Sequence, residues 1–167
     1  MSGGLFRWVE NDLDLRLALM PRPPGGQRLD AAMGVLRRHG VDVLVSFQTP
    51  VEAEACGLER EAESADLFGI RFMRFPIDDH GVPSSPEAAL RVAQDILQEL
   101  HQGRGVLVHC FAGIGRSGLM AILVMTLAGF SLGEAAERVS AARQFPVPET
   151  QTQWFWLEAH APRQSRD

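Results

Sequence analysis

"VLVHCFAGIGRSGLMA", residues 106–121, is the stretch that decides how the rest of the chain is interpreted. It begins with a short apolar run typical of a buried strand, continues through a glycine-rich turn, and ends in an apolar segment typical of a buried helix. Two patterns overlap in the turn. Residues 113–118 spell G-x-G-x-x-G, and His109-Cys110 is followed after five residues by Arg116-Ser117. Either pattern places backbone N–H groups at a helix N-terminus, where anions bind.

Strand and helix patterns alternate on both sides of this stretch. Apolar runs predict strands over 5–9, 41–47, 70–75 and 105–109, and a further apolar run covers 13–19. Longer segments predict helices over 30–39, 86–102, 117–128, 131–143 and 149–159. Part of the segment 52–67 is also predicted to be helical. This alternation predicts an α/β fold, a single domain over 1–167 with a mostly parallel twisted sheet covered by helices on both faces. Ligands bind such sheets at the carboxyl ends of the strands, where His109 and Cys110 lie.

The composition argues against several classes of function and location. The chain has 167 residues, 46% of them apolar, and a net charge of −5, which argues against nucleic acid or an anionic membrane as the main partner. The most apolar segment, residues 118–130, is too short to span a bilayer, and residues 1–15 do not resemble a signal peptide. Cys56 and Cys110 are the two cysteines, a sparse usage typical of a reducing compartment. We therefore expect a cytoplasmic monomer.

The G-x-G-x-x-G pattern does not extend to a dinucleotide site. That site needs an acidic residue about 20 residues further on, at the end of the next strand. Glu134 and Glu137 lie near that distance, but they fall inside a predicted helix that no strand follows.

The Cys110–Arg116 spacing explains more of the residues. Helix N-termini and neighbouring cations favour a cysteine thiolate over the thiol, and Cys110 lies where the loop N–H groups converge. The planar guanidinium of Arg116 can bind two phosphoryl oxygens at once. Gly113 and Gly115 allow tight turns around a bound anion. We interpret residues 110–116, hereafter the cysteine loop, as an anion cradle around a nucleophile.

This loop resembles the signature of the cysteine-based protein tyrosine phosphatases, in which His-Cys is followed by five residues and Arg-Ser or Arg-Thr. The resemblance covers most of the chain. Within this superfamily, the chain resembles the small atypical dual-specificity phosphatases. It implies that Cys110 attacks phosphorus, Ser117 hydrogen-bonds the sulfur, and His109 supports the loop. The phosphate-binding residues it implies are Phe111, Ala112, Gly113, Ile114, Gly115 and Arg116.

The leaving oxygen of a phosphate ester needs a proton, so an acid on a second loop is expected. Residues 76–83, hereafter the aspartate loop, resemble the general-acid loop of the small dual-specificity phosphatases and place the acid at Asp79. The residues alone leave Asp78 open, because either aspartate could instead cap the turn at His80-Gly81. We expect His80 to shape this loop and not to carry a proton.

A third segment, residues 148–153, opens the last predicted helix and resembles the Glu-Thr-x-x-Gln segment of some atypical dual-specificity phosphatases. By this resemblance Gln153, and with it Glu149, would position the hydrolytic water or form the pocket wall. The alternatives are an acidic helix start at Glu149 and a solvated Gln153.

The sequence thus predicts a phosphatase that acts on phosphotyrosine, and on phosphoserine or phosphothreonine, in a protein or peptide, with no metal or cofactor. An inositol phosphate or small-molecule substrate is disfavoured because the cysteine loop has no lysine. A non-catalytic phospho-binding module is disfavoured because Cys110, Arg116 and Asp79 are all present. Cys56 could form a disulfide with Cys110 under oxidation, and a half-buried helix residue is the alternative.

Overall fold

Strand β5, Val106–His109, lies at the centre of a five-stranded sheet in the computed structural model, which describes residues 6–164. The other strands are Arg7–Trp8 (β1), Leu17–Met20 (β2), Val43–Ser46 (β3) and Arg71–Arg74 (β4). Their order is β1-β2-β5-β3-β4. All neighbouring pairs are parallel except β1 with β2. The predicted, mostly parallel sheet is confirmed.

Seven α-helices connect and flank the strands within the described part of the chain. They are Leu29–Arg38 (α1), Pro50–Ala55 (α2), Glu61–Leu67 (α3), Pro86–His101 (α4), Arg116–Leu127 (α5), Leu132–Arg143 (α6) and Gln151–His160 (α7). The predicted caps are present: the Ser85 side chain accepts from the Ala88 N–H, and Ser131 and Glu134 form a capping box. No helix among residues 6–164 is long and apolar enough to cross a membrane.

The two faces of the sheet belong to two apolar clusters. Side chains alternate along a strand, so Val106 and Val108 of β5 pack with α4–α7 whereas Leu107 packs with α1 and α3. Cys110 continues the first face and His109 the second. Helices therefore cover both faces, as predicted, and the two signature residues point to opposite sides of the sheet.

Two elements differ from the predicted ones. Strand β2 starts at Leu17 because the Asn11 side chain accepts from the Leu13 and Leu15 N–H groups and donates to two carbonyls, which holds the preceding segment in a turn. Strand β1 is limited to two residues, and the predicted Leu5 lies outside the described residues. The segment 52–67, predicted to be helical in part, contributes to two helices, α2 and α3, which are separated by a turn at Gly57 with φ of 69°.

Candidate active site

The cysteine loop joins the carboxyl end of β5 to the N-terminus of α5. Cys110 is 2% exposed, and its Sγ lies 3.3 Å from the Gly113 N–H, which donates to it. Gly113 has φ of 73°, and a Cβ there would lie 2.3 Å from the Met20 carbonyl oxygen, so only glycine fits this turn. The loop thus holds the sulfur close to the N-terminus of α5, beside the loop N–H groups.

Arg116, the first residue of α5, is buried and has three partners. Its Nη1 and Nη2 donate to the two carboxylate oxygens of Glu52 over 2.7 and 2.8 Å. Nη1 also donates to the Ile77 carbonyl oxygen over 2.8 Å, and Nη2 to Oδ1 of Asp79 over 3.0 Å. The bidentate pair fixes the plane of the guanidinium. The arrangement presents a fixed cation beside Cys110.

Arg116 and Glu52 each stabilise the ionised form of the other. Burial alone would lower the pKa of Arg116, but the hydrogen bond to Glu52 and the charges of Cys110, Glu52 and Asp79 raise it. Burial alone would raise the pKa of Glu52, but its hydrogen bonds to Arg116 and to the Thr49 backbone lower it. Both groups are charged at neutral pH.

The aspartate loop brings Asp79, and not Asp78, to this arginine. Asp79 contacts Arg116, whereas Asp78 is exposed and its carbonyl oxygen accepts from the Gly81 N–H within the turn. His80 has φ of 60°, and its N–H donates to Oδ1 of Asp79. Its imidazole lies 3.5 Å from Asp79 and 3.2 Å from Glu149. Asp79 is therefore the aspartate that lies beside Arg116, and His80 forms part of the turn that holds it.

The start of α7 closes the other side of the site. Gln153 is fully buried, in contrast to the solvated alternative, and its Oε1 accepts from the Glu149 and Thr150 N–H groups. Its Nε2 donates to the Gly81 carbonyl oxygen over 3.0 Å, which ties α7 to the aspartate loop. A Cβ on Gly115 would lie 2.8 Å from Oε2 of Glu149 and 3.0 Å from Nε2 of Gln153. Both side chains therefore lie directly against the cysteine loop.

His109 and Ser117 lie behind the loop, out of solvent. His109 Nε2 lies 2.5 Å from Oε1 of Glu61, and Nδ1 lies 3.1 Å from the Cys110 carbonyl oxygen. Ser117 Oγ is buried without a hydrogen-bond partner among the described residues. The hydrogen bond from Ser117 to the Cys110 sulfur, expected by resemblance, is therefore not formed in this structure.

The remaining loop residues form the rim. Phe111 is 46% exposed, and the Arg22 guanidinium lies over its ring, 4.3 Å from the centroid. Arg143 of α6 donates to the Ala112 carbonyl oxygen, and burial lowers the pKa of Arg143 although the nearby Cys110 acts to raise it. Ile114 is half-buried against the larger apolar cluster. The rim combines an aromatic ring with two arginines.

Glu52, Glu61, Arg22 and Arg143 are the site residues that sequence reasoning missed. Glu52 did carry a signal, because it is the fourth residue of a Thr-Pro-Val-Glu capping box directly after β3, and acids at strand carboxyl ends are site candidates. The others lie in helices or loops far from residue 110 in the sequence, and no local pattern marks them. Cys56 is half-buried at the end of α2, where Arg22 Nε lies 3.1 Å from its Sγ.

A family model described as "Polymorphic toxin system, DSP-PTPase phosphatase" matches residues 20–129, which contain β3 to β5, the cysteine loop and α5. Curated relatives match about half of the chain. Protein tyrosine phosphatase domain-containing protein 1 of Bos taurus is 33% identical over 92 residues, and the phosphatidylinositol 3,4,5-trisphosphate 3-phosphatase and protein-tyrosine-phosphatase PTEN1 of Arabidopsis thaliana is 35% identical over 89. Each alignment spans 50% of this chain, but only 11% and 20% of these relatives.

Solved phosphatase structures share the whole architecture. Kinase associated phosphatase, with serine in place of its catalytic-site cysteine, has a TM-score of 0.81 at 20% identity, covering 91% of this chain and 90% of its own. The active form of Tk-PTP has a TM-score of 0.76 at 25% identity, with coverages of 95% and 97%. The human tyrosine phosphatase-like serine/threonine/tyrosine-interacting protein reaches 0.72 at 21%, with coverages of 92% and 93%. For the two structures at 20% and 21% identity, the similarity shows a shared fold.

Proposed function

Because the chain belongs to the DSP-PTPase family, as a small atypical dual-specificity member of the cysteine-based protein tyrosine phosphatase superfamily, we propose that it hydrolyses phosphotyrosine monoesters in proteins or peptides. Phosphoserine and phosphothreonine esters are the further substrates of the same site. The reaction passes through a phosphocysteine intermediate and takes place in the cytoplasm, on a monomer. The observation that carries the proposal is the fixed position of Arg116. Glu52 fixes the orientation of the guanidinium plane beside Cys110, and the same guanidinium already contacts Asp79.

In the first step the Cys110 sulfur attacks phosphorus and forms the S–P bond as the bond from phosphorus to the ester oxygen breaks. The Arg116 guanidinium and the loop N–H groups of residues 111–116 hold the three equatorial oxygens while charge moves onto them. Without substrate, Asp79 occupies one donor of Arg116. A bound phosphoryl group takes that donor, and the released Asp79 takes up a proton from solvent and delivers it to the leaving oxygen.

In the second step water attacks the phosphocysteine, and Asp79 accepts a proton from it. Gln153 and Glu149, which lie against Gly115, position this water. Ser117 Oγ has no partner in the resting site. It is available to donate to the sulfur as the S–P bond breaks and so eases departure of the thiolate. His109 supports the loop from behind through the Cys110 carbonyl.

The rim favours phosphorylated protein over a compact polyanion. Phe111 offers an exposed ring for contact with a phosphotyrosine ring. The cysteine loop has no lysine to bind additional phosphates of an inositol ring. The name of the PTEN1 relative includes a phosphoinositide as substrate. A phosphoinositide is therefore one of the substrates compared in the test.

The test compares hydrolysis of a phosphotyrosine peptide, a phosphothreonine peptide and a phosphoinositide by the wild type and by Cys110→Ser, in the presence of a metal chelator. We expect turnover of the peptides and none by Cys110→Ser. Tight binding of phosphopeptide without turnover by the wild type would instead indicate a binding module, and preferential turnover of the phosphoinositide would overturn the substrate class.

Asp79→Asn and Asp78→Asn form a matched pair for the acid. With a phenol leaving group we expect Asp79→Asn to lower kcat by about 10²–10⁴-fold, the usual contribution of a general acid. Asp78→Asn, which removes an exposed carboxylate one position away, should leave kcat within a few-fold of the wild type. The reverse order of the two variants would refute the assignment.

A further inference from the structure

A polar cavity lies at the amino end of the sheet, at the edge opposite Cys110. Its volume is about 430 Å³. It is lined by Val43, Gly69 and five charged residues, namely Arg37, Asp42, Arg71, Glu99 and Arg104. The four residues of β5 span about 13 Å between this edge and the cysteine loop. The cavity is therefore separate from the candidate active site.

Three helix-to-strand connections build this cavity. The connection from α1 to β3 carries Asp42, the one from α3 to β4 carries Gly69, and the one from α4 to β5 carries Arg104. The parallel register places Arg71, the first residue of β4, beside Val43, the first residue of β3. Strands that begin at one edge thus bring together side chains from three separate parts of the chain.

Glu99 is the least exposed charged residue of the cavity lining. Its side chain is 9% exposed, and its two carboxylate oxygens accept from Nη1 of Arg71 and from Nη1 of Arg104. Those two arginine side chains are 64% and 47% exposed. One buried carboxylate therefore holds two guanidiniums at the mouth of the cavity, with a single negative charge for two positive ones.

Arg37 and Asp42 add a third guanidinium to the lining. Oδ1 of Asp42 accepts from Nη1 of Arg37, and Oδ2 accepts from the Gly105 N–H over 2.8 Å. Three arginines and two carboxylates give the lining a formal charge of +1, in a chain whose net charge is −5. The cavity is thus a positive region on an acidic protein.

The outer edges of the three guanidiniums are available to a ligand. Each arginine contacts its carboxylate through Nη1, and within residues 6–164 neither Nε nor Nη2 of these arginines has a hydrogen-bond partner. A guanidinium offers its donors in a planar fork that fits pairs of phosphate or carboxylate oxygens. Because the carboxylates already hold Nη1, less side-chain freedom is lost when an anion binds.

Capping of helix ends does not explain these arginines. Cations are favourable in the last turn of a helix, and Arg37 lies in the last turn of α1. Arg71 and Arg104 instead follow their helices and bind the Glu99 side chain. Partly exposed ion pairs contribute little to stability. A surplus of positive charge gathered around one cavity is better explained by an anionic ligand.

The lining also indicates which kind of anion fits. Among the described residues that line the cavity, Val43 has the one apolar side chain of any size, and none is aromatic. A nucleobase or an acyl chain would therefore find little surface to contact. The volume falls within the range of small-molecule sites, about 300–1,000 Å³. Three guanidiniums suit a ligand with more than one charged group.

We infer that this cavity binds a small hydrophilic anion with two or more phosphoryl groups, held by the outer edges of Arg37, Arg71 and Arg104. Binding here uses none of the residues of the proposed reaction. It is therefore independent of the proposed phosphatase activity, and either can fail without the other.

The test is a titration of the ¹⁵N-labelled protein with pyrophosphate, followed through its backbone amides by NMR. Gly69 lines the cavity and the Gly105 N–H donates to Asp42, so these two amides report on the cavity. The amides of Gly113 and Gly115 report separately on the cysteine loop. We expect the two cavity amides to shift and to reach saturation, which gives a Kd for this site alone.

Arg71→Gln and Arg104→Gln each remove one guanidinium and leave Glu99 with the other. Each should weaken pyrophosphate binding at the cavity amides about tenfold or more, for the loss of charged hydrogen bonds. Arg91→Gln is the matched control, because Arg91 is an exposed arginine of α4, the helix that carries Glu99. It should leave the Kd unchanged.

The wild-type titration decides the question even if a variant does not fold. Shifts confined to the cysteine-loop amides would overturn the inference, because pyrophosphate would then bind at the active site alone. Cavity shifts that grow without saturation, or that Arg71→Gln and Arg91→Gln weaken equally, would indicate charge screening and would also overturn it. A phosphothreonine peptide is compared in Cys110→Ser, to prevent turnover. If the peptide saturates the cavity amides at lower concentration than pyrophosphate, a small-molecule ligand is refuted.

Discussion

At the scale of single residues, the candidate site depends on carboxylates that hold its cations in place. Glu52 binds Arg116 through both oxygens while Oε2 also accepts from the Thr49 N–H, so one side chain caps α2 and orients the arginine. Asp79 shares the same guanidinium. A buried arginine with a long, flexible side chain would otherwise lose orientation, and the phosphate geometry depends on its plane.

Glu52→Gln should therefore lower kcat/KM for a phosphotyrosine peptide by about 10–100-fold, because a small displacement of a catalytic group is enough for that loss. Glutamine still forms the capping box, so α2 should remain intact. The control is Glu54→Gln, which alters an exposed carboxylate of the same helix. Equal activity of Glu52→Gln and the wild type would show that Arg116 needs no carboxylate to hold it.

Residues with a local signature could be predicted from the sequence, and residues whose partner is distant could not. Cys110 and Arg116 are the two ends of one loop, His109 directly precedes it, and Asp79 follows a strand, a proline and a turn. The contact of Glu61 with His109 joins residues 48 positions apart. It depends on how α3 crosses the sheet, which no spacing within residues 52–67 encodes.

At the scale of elements, the site is the meeting point of three segments at the carboxyl end of the sheet. The cysteine loop follows β5, the aspartate loop follows β4, and the start of α7 lies over both through Gln153. The alternation of strands and helices predicted this end of the sheet correctly. The segment 52–67 was predicted to be helical in part, but no pattern located the break at Gly57, which separates the helix that supplies Glu52 from the one that supplies Glu61.

The cysteine loop should not tolerate a side chain at Gly113. Gly113→Ala places a Cβ on a residue with φ of 73°, against the Met20 carbonyl oxygen. The left-handed conformation alone costs about 1–2 kcal/mol for a residue other than glycine. We expect the free energy of unfolding, measured in urea, to fall by at least this amount and phosphatase activity to be lost.

Gly133→Ala is the comparison for this change. Gly133 lies in α6 with open space around its Cα, so alanine should slightly stabilise the helix and leave activity unchanged. If Gly113→Ala is as stable and active as Gly133→Ala, the cysteine loop is less constrained than the structure indicates.

At the scale of the whole molecule, ion pairs at both ends of the sheet make stability depend on pH. At the amino end, Asp42 accepts from the Gly105 N–H over 2.8 Å and binds Arg37. Burial would raise the pKa of Asp42, but these bonds lower it. At the carboxyl end the pKa of Glu52 is also lowered. Both carboxylates thus stabilise the fold above their unfolded pKa values, and that stabilisation is lost as the pH falls through the folded ones.

Asp42→Asn should accordingly be less stable than the wild type at pH 7, by about 1–2 kcal/mol for the loss of charged hydrogen bonds. The difference should begin to shrink as the pH falls through the ordinary pKa of 3.8, because the unfolded wild-type chain is protonated at Asp42 there while the folded protein still holds the carboxylate. Urea unfolding at several pH values measures it, with the exposed Asp95→Asn as control. A difference that stays constant from pH 7 to pH 3 would contradict this account.

The central claim is that Cys110 carries the phosphoryl group during turnover. The most direct measurement is acid quenching of the protein during hydrolysis of a phosphotyrosine peptide, followed by mass spectrometry of the Cys110 peptide. The account predicts an added phosphoryl group on Cys110 in the wild type and none on residue 110 in Cys110→Ser. Sustained turnover by Cys110→Ser, with no phosphoryl group on residue 110, would contradict it.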